Sequence, residues 1–207
     1  RYFVQHGRYT AGTATRYQPA LLTGTSDHQH LAEGLTIGAR FHSTLVVRLG
    51  DGKPMQLGET LAADGRWRLI AFAGQSDDAG SASPLGKLCS YLIESPQSPL
   101  KRYTPAGADV DAVFDVRAVF QQSHHELSID AMPELLFPNK GRYGLRDYEK
   151  VFCALSDESQ NIYNLRQIDC QNGCLVIVRP DQYIAHILPL DATDALAAFF
   201  DGFMLEA

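Results

Sequence analysis

Cys174-Leu175-Val176-Ile177-Val178-Arg179, the separator Pro180-Asp181, and Gln182-Tyr183-Ile184-Ala185-His186-Ile187-Leu188 decide how this chain folds. The first run is continuously apolar and rich in β-branched residues, the pattern of a strand buried on both faces. Only two residues part it from the second run, so the pair reads as an antiparallel hairpin. Beyond it, Asp191 or Thr193 can cap a helix that turns Leu196, Ala197, Phe199, Phe200 and Phe203 toward a core.

Upstream, Val113 to Phe120 reads as another strand, and Ser83-Pro84 as the cap and first turn of a helix. Leu85, Leu88, Cys89, Leu92 and Ile93 fall on one face of that helix, which must stop before Pro96. Strands are expected near 44–49, 55–58 and 66–73, with Asp51-Gly52 and Asp64-Gly65 as hairpin turns. Leu127 to Pro138 is interrupted by Pro133 and Pro138 and reads as loop with a short helical turn. Strand, helix, strand, hairpin, helix is the element order of a thioredoxin-like α/β domain. The expected division is an irregular arm over residues 1–43, held in place by its neighbours, and the domain proper over 44–207.

Composition agrees with a compact domain: 207 residues, 45% hydrophobic and 20% charged, are enough for a real core and exclude disorder or coiled coil for the whole. The net charge of −6 has the wrong sign for gripping nucleic acid. No run reaches the roughly 20 apolar residues of a membrane span. Four cysteines are too few for a disulfide framework, so reduced thiols and a cytoplasmic address are expected. The chain opens on Arg1 and not on Met, and reads as a piece of something longer.

Catalytic signatures are missing where such a fold would carry them. Thioredoxin chemistry places Cys-x-x-Cys between the first core strand and the first helix, and Phe72 to Pro84 has no cysteine. Cys170 and Cys174 are one residue too far apart for that motif and stand elsewhere, yet a stand-alone thioredoxin- or peroxiredoxin-like redox protein using them is the alternative to hold in view. His28-x-His30 and His124-His125 are the nearest approach to metal ligands and lack partners at motif spacing. There is no Gly-x-Ser-x-Gly, and Gly50-Asp51-Gly52 lacks the third glycine and the helix of a phosphate loop. Catalytic, cofactor and metal residues are therefore all assigned as none. Phe199, Phe200, Phe203 and Met204 offer more apolar surface than one helix face hides, and Phe200, Phe203 and Met204 join Arg179 and Tyr183 as candidate interface residues.

Several segments carry a family likeness: Thr10-Ala11-Gly12-Thr13-Ala14-Thr15-Arg16-Tyr17, Leu21-Leu22-Thr23-Gly24, Gly38-Ala39-Arg40-Phe41, and Asp64-Gly65-Arg66-Trp67-Arg68 with Phe72-Ala73-Gly74. Asp147-Tyr148-Glu149-Lys150-Val151-Phe152 and Val178-Arg179-Pro180-Asp181-Gln182-Tyr183-Ile184 complete the set. From about Tyr9 to Met204 the chain resembles the C-terminal domain of FAD-dependent aromatic monooxygenases, the phenol 2-monooxygenase and 3-hydroxybenzoate 4-monooxygenase family. The resemblance implies a thioredoxin-like domain without redox cysteines, behind an N-terminal flavin domain, contributing to a homodimer. It further implies that the parent uses FAD, NADPH and O2 to hydroxylate a phenolic substrate. It places no catalytic residue on this chain.

Overall fold

The computed structural model describes Gly7, Tyr9 and residues 13–206; the start of the first family-like segment, Thr10-Ala11-Gly12, lies outside the described residues. The strands are β1 (Leu45–Arg48), β2 (Pro54–Gln56), β3 (Trp67–Ala73), β4 (Phe114–Phe120), β5 (Asn139–Lys140), β6 (Leu145–Arg146), β7 (Val151–Cys153), β8 (Gly173–Val178) and β9 (Ile184–Leu188). The helices are α1 (Pro84–Glu94), α2 (Pro99–Tyr103), α3 (Ile162–Arg166) and α4 (Thr193–Asp201). One sheet runs in the order β2-β1-β7-β4-β3-β8-β9, and β5 and β6 form a separate ribbon.

All seven residues of β3 are buried, because it lies in the middle of the sheet with β4 parallel on one side and β8 antiparallel on the other. Alternation along the strands makes two cores. Trp67, Leu69, Ala71 and Ala73 share one with Phe114, Val116, Ala118 and Phe120, roofed by Leu85, Leu88 and Leu92 of α1 and by Leu196 and Phe200 of α4. Ile70, Phe72, Val119, Val176 and Val178 share the other with Ile162 and Tyr163 of α3 and with Leu31, Leu35, Ile37 and Phe41. Part of the arm thus supplies a wall of the second core. The arm also closes the edge of β9: Gly38 N donates to Ile184 O at 2.8 Å, and Ile184 N to Ala39 O at 2.9 Å. An open edge strand would invite pairing with another chain, and these bonds occupy it.

The hairpin of β8 and β9, the β3–α1–β4 unit and the Ser83 cap stand as read, with Ser83 Oγ accepting from Gly86 N at 3.1 Å. Leu127–Pro138 holds two short 3-10 turns, Ile129–Ala131 and Glu134–Leu136. Three expectations need correction. Asp51-Gly52 turns β1 into β2, but Asp64-Gly65 makes no hairpin, since β2 is short, begins at Pro54 and passes into the 3-10 turn Leu57–Thr60. Both sides of β3 are taken, by β4 and β8, so β2 pairs with β1 instead. Neither Asp191 nor Thr193 caps α4 through its side chain; the N-cap position is Ala192. Ile93 is exposed at the margin of the α1 stripe. Strand β7, between β1 and β4, is too short to show a period in sequence.

Gly173 opens β8 at a φ of +68°, and a Cβ there would lie 2.1 Å from Phe72 O. Both facts demand glycine, since the left-handed region and the clash each penalise any side chain. Gly173→Ala is expected to lower stability by at least about 2 kcal/mol, measured by urea unfolding; an unchanged midpoint would contradict this packing of β3 on β8.

Candidate functional site

The position that carries redox chemistry in thioredoxin-like proteins is the junction of β3 and α1. It opens here into a cleft of 710 Å³ lined by Gly74, Ser76, Asp77, Ser83, Lys87 and Asn172, among others. A helix start attracts a thiolate or a phosphate because its first N–H groups lack partners. In α1 each is accounted for. Pro84 has no N–H, Leu85 N donates to Asp77 Oδ2 at 2.8 Å, Gly86 N donates to Ser83 Oγ, and Lys87 N donates to Ser83 O at 2.9 Å. The buried Asp77 carboxylate, which also accepts from Ala79 N at 2.9 Å, occupies the place where an anion would be stabilised.

The thiols point the same way. All four are free; Cys89, Cys153 and Cys174 are buried and Cys170 is half-buried. Burial pushes Cys89 and Cys153 up to about 12 and raises Cys174 further, with Asp77 and Asp169 adding to the effect at Cys89 and Cys174. Cys170 is also raised, by burial and then by the charge of Asp169. A reactive cysteine requires the opposite shift. The native protein at pH 7.5 is therefore expected to consume a thiol reagent at least about tenfold more slowly than the same chain in denaturant. Rapid labelling of Cys170 or Cys174 in the native state would revive redox chemistry.

The densest chemistry lies at the opposite end of β3 and β4. Asp115 is 0% exposed and meets Arg117 Nε at 2.8 Å, Arg68 Nε at 3.0 Å and Lys150 Nζ in a short contact. Lys150, only 1% exposed, also meets Asp111 at 2.6 Å. Arg68 and Arg66 both reach Asp64, at 2.8 and 2.7 Å. Arg66 continues to Asp111 at 3.0 Å, and Lys140 binds Asp111 at 2.8 Å and Asp147 at 3.2 Å. Arg68 and Asp115 are direct neighbours in the parallel register, which puts both on the face of the second core.

Burial would raise Asp111, but Lys140 and Lys150 hold it at about 2. Asp115 is also lowered, because Arg117, Lys150 and Arg68 outweigh its burial. Groups depressed in the folded state contribute stability that is complete above the unfolded value of about 4 and lost as pH falls through the folded one. Thermal stability should therefore hold above about pH 4 and drop toward pH 2, with a shallower drop in Lys150→Met. At neutral pH, Lys150→Met should cost about 3–5 kcal/mol, the penalty for leaving buried carboxylates short of a cation. Chemical unfolding at pH 7 and 3 checks both; equal losses at the two pH values would remove the electrostatic explanation.

The interface candidates divide. Phe200 is 0% exposed and packs edge-on against Trp67 and Phe114 at ring separations of 5.2 and 4.8 Å. Its side chain belongs to the core of the single chain, because α4 lies along the sheet and turns this position inward. Phe203 and Met204 are partly buried against the same core, with Phe203 5.3 Å from Trp67. Arg179 follows β8 directly, pairs with Asp181 at 2.6 Å, and lies 4.7 Å from the centre of the Tyr17 ring and 5.8 Å from that of Tyr183. Tyr17 and Tyr183 meet edge to face at 4.9 Å. Within the chain, Arg179 and Tyr183 therefore bind the arm to the β8–β9 turn. The His28 and His30 rings are 6.2 Å apart and those of His124 and His125 3.9 Å; among the described residues no three His, Cys, Asp or Glu side chains gather as a metal site.

Reading by motif missed the ribbon of β5 and β6, whose Tyr143 and Leu145 are 79% and 71% exposed. The available signal was Gly141-Arg142-Tyr143-Gly144-Leu145, where two glycines bracket a large aromatic residue.

Comparison with known proteins places these features. The family described as phenol hydroxylase, C-terminal dimerisation domain, matches residues 15–207. A 3-hydroxybenzoate 4-monooxygenase from Comamonas testosteroni is 54% identical over 99% of this chain and 32% of its own length. An FAD-dependent monooxygenase from Aspergillus terreus is 33% identical over 98% of this chain and 33% of its own length. The chain thus spans about a third of these relatives. Among solved structures, the thioredoxin domain of a thiol-disulfide oxidoreductase from Bacteroides vulgatus superposes with a TM-score of 0.50 at 15% identity, covering 81% of this chain and 96% of that one. That likeness establishes the thioredoxin-like fold.

Proposed function

Because the chain belongs to the phenol hydroxylase C-terminal dimerisation domain family, we propose that it is the assembly module of a flavin-dependent aromatic hydroxylase. The observation that carries this reading is the 54% identity extending over 99% of the chain. In it, residues 1–43 lead from an N-terminal flavin domain of the same polypeptide into the domain over 44–207, and the module pairs with a second copy in a cytoplasmic homodimer. Free cysteines in every described position fit a reducing compartment.

The parent reaction under this proposal is NADPH- and O2-dependent hydroxylation of a phenolic substrate such as 3-hydroxybenzoate or phenol. FAD would supply the oxygen-activating chemistry. The present residues do not fit that group: the N–H groups at the start of α1, which a pyrophosphate would need, are committed to Asp77 and Ser83. The flavin and the substrate are accordingly assigned to the preceding domain. What this chain contributes is a rigid platform, with its residual cleft chemically closed and its thiols unactivated.

Deleting this module from the full-length polypeptide tests the assignment. The truncated protein should keep bound FAD and sediment as a monomer, while the separate module should neither bind FAD nor oxidise NADPH when 3-hydroxybenzoate is supplied. NADPH oxidation by the module alone, or an intact dimer without it, would overturn the proposal.

A further inference from the structure

The ribbon of β5 and β6 carries its apolar side chains away from both cores. Two-stranded ribbons are marginal by themselves, yet this one is fastened at its root. Lys140 binds Asp111 and Asp147, Gly141 N donates to Asp109 Oδ1 at 3.0 Å, and Asp147 N donates to Pro138 O at 2.9 Å. Its tip is held in shape by Gly141 and Gly144 at φ of +66° and +58°, and a Cβ at either would meet nothing within 4 Å. The result is a projection, anchored at its root, in which Tyr143, flanked by Arg142 at 5.7 Å from its ring centre, and Leu145 face outward.

Next to the projection lies a hollow of 460 Å³ lined by Met132, Glu134, Phe137, Asn139 and Arg146. Knob and hollow thus occupy one patch, the arrangement a two-fold interface requires, because each copy must offer both halves. The knob brings Arg142, and the hollow carries the exposed Glu134 at one side and Arg146, stacked 5.3 Å over Phe137, at the other, so that Glu134 is the group Arg142 can pair with. Fastening the root of the ribbon before contact reduces the ordering cost of association.

We propose that Tyr143 and Leu145 of one copy seat in the hollow around Glu134 and Phe137 of a second copy of this chain, with Arg142 facing the second copy's Glu134. This rests on the dimerisation reading given above and names the surface that performs it.

Sedimentation velocity over a concentration series separates the two claims. The unaltered chain should dimerise. Tyr143→Asp with Leu145→Asp should weaken dimerisation by about 100-fold or more, with an unchanged circular dichroism spectrum and melting transition, since both residues are solvent-exposed within the single chain. Glu134→Arg should also weaken it, and adding Arg142→Glu in the same chain should restore it. A dimer unaffected by the Tyr143 and Leu145 changes would overturn the surface while leaving dimerisation in place, and would point to the flavin domain as what covers the ribbon. Failure of the charge swap to restore pairing would overturn the two-fold arrangement. An unaltered chain that stays monomeric at every concentration would overturn both.

Discussion

A carboxylate with no exposed surface, Asp115, is stable in the middle of this sheet only because Arg68, Arg117 and Lys150 converge on it. A lone buried charge would neutralise or unfold its surroundings. The three cations come from β3, β4 and the residue before β7, so satisfying one side chain fixes three strands in register. Asp111 and Asp147 extend the same network to Lys140 at the root of the β5–β6 ribbon. Sheet geometry and the posture of a surface projection are thereby tied to one set of charges. Such a network is weak evidence for net stability compared with an apolar core; what it provides is a single arrangement, since any slip strands a charge.

The chain has a thioredoxin-like frame. Where that frame can activate a thiol, Asp77 takes the helix-terminal N–H of Leu85, and the cysteines lie in cores where burial raises them. On the second face the arm adds Leu31, Leu35, Ile37 and Phe41 to the cover given by Ile162 and Tyr163 of α3. Arg179, between Tyr17 and Tyr183, fastens that arm to the β8–β9 turn. The β3–α1 junction thus has its helix-terminal N–H groups taken, while the ribbon turns Tyr143 and Leu145 outward.

Much of this was legible in residues 66–94 and 174–203, where period and capping are strong. The β3–α1–β4 unit follows from Ser83-Pro84 and the stripe Leu85, Leu88, Cys89, Leu92, and the β8–β9 hairpin from Pro180-Asp181 between two apolar runs. The family-like segments Asp64 to Arg68 and Asp147 to Phe152 were visible as strings. Their physical meaning, cations and carboxylates meeting in one buried network, depends on contacts between residues as far apart in sequence as Arg68 and Asp115, which no local pattern records. The full burial of Phe200 was not legible, because helical spacing tells which face a residue occupies and not how much sheet lies opposite. The ribbon escaped because two-residue strands have no period.

The molar mass of the unaltered native chain in dilute solution, read by light scattering across a concentration series, tests the central claim most directly. An assembly module must converge on twice the mass of one chain as concentration rises. A mass that stays at one chain throughout would contradict it.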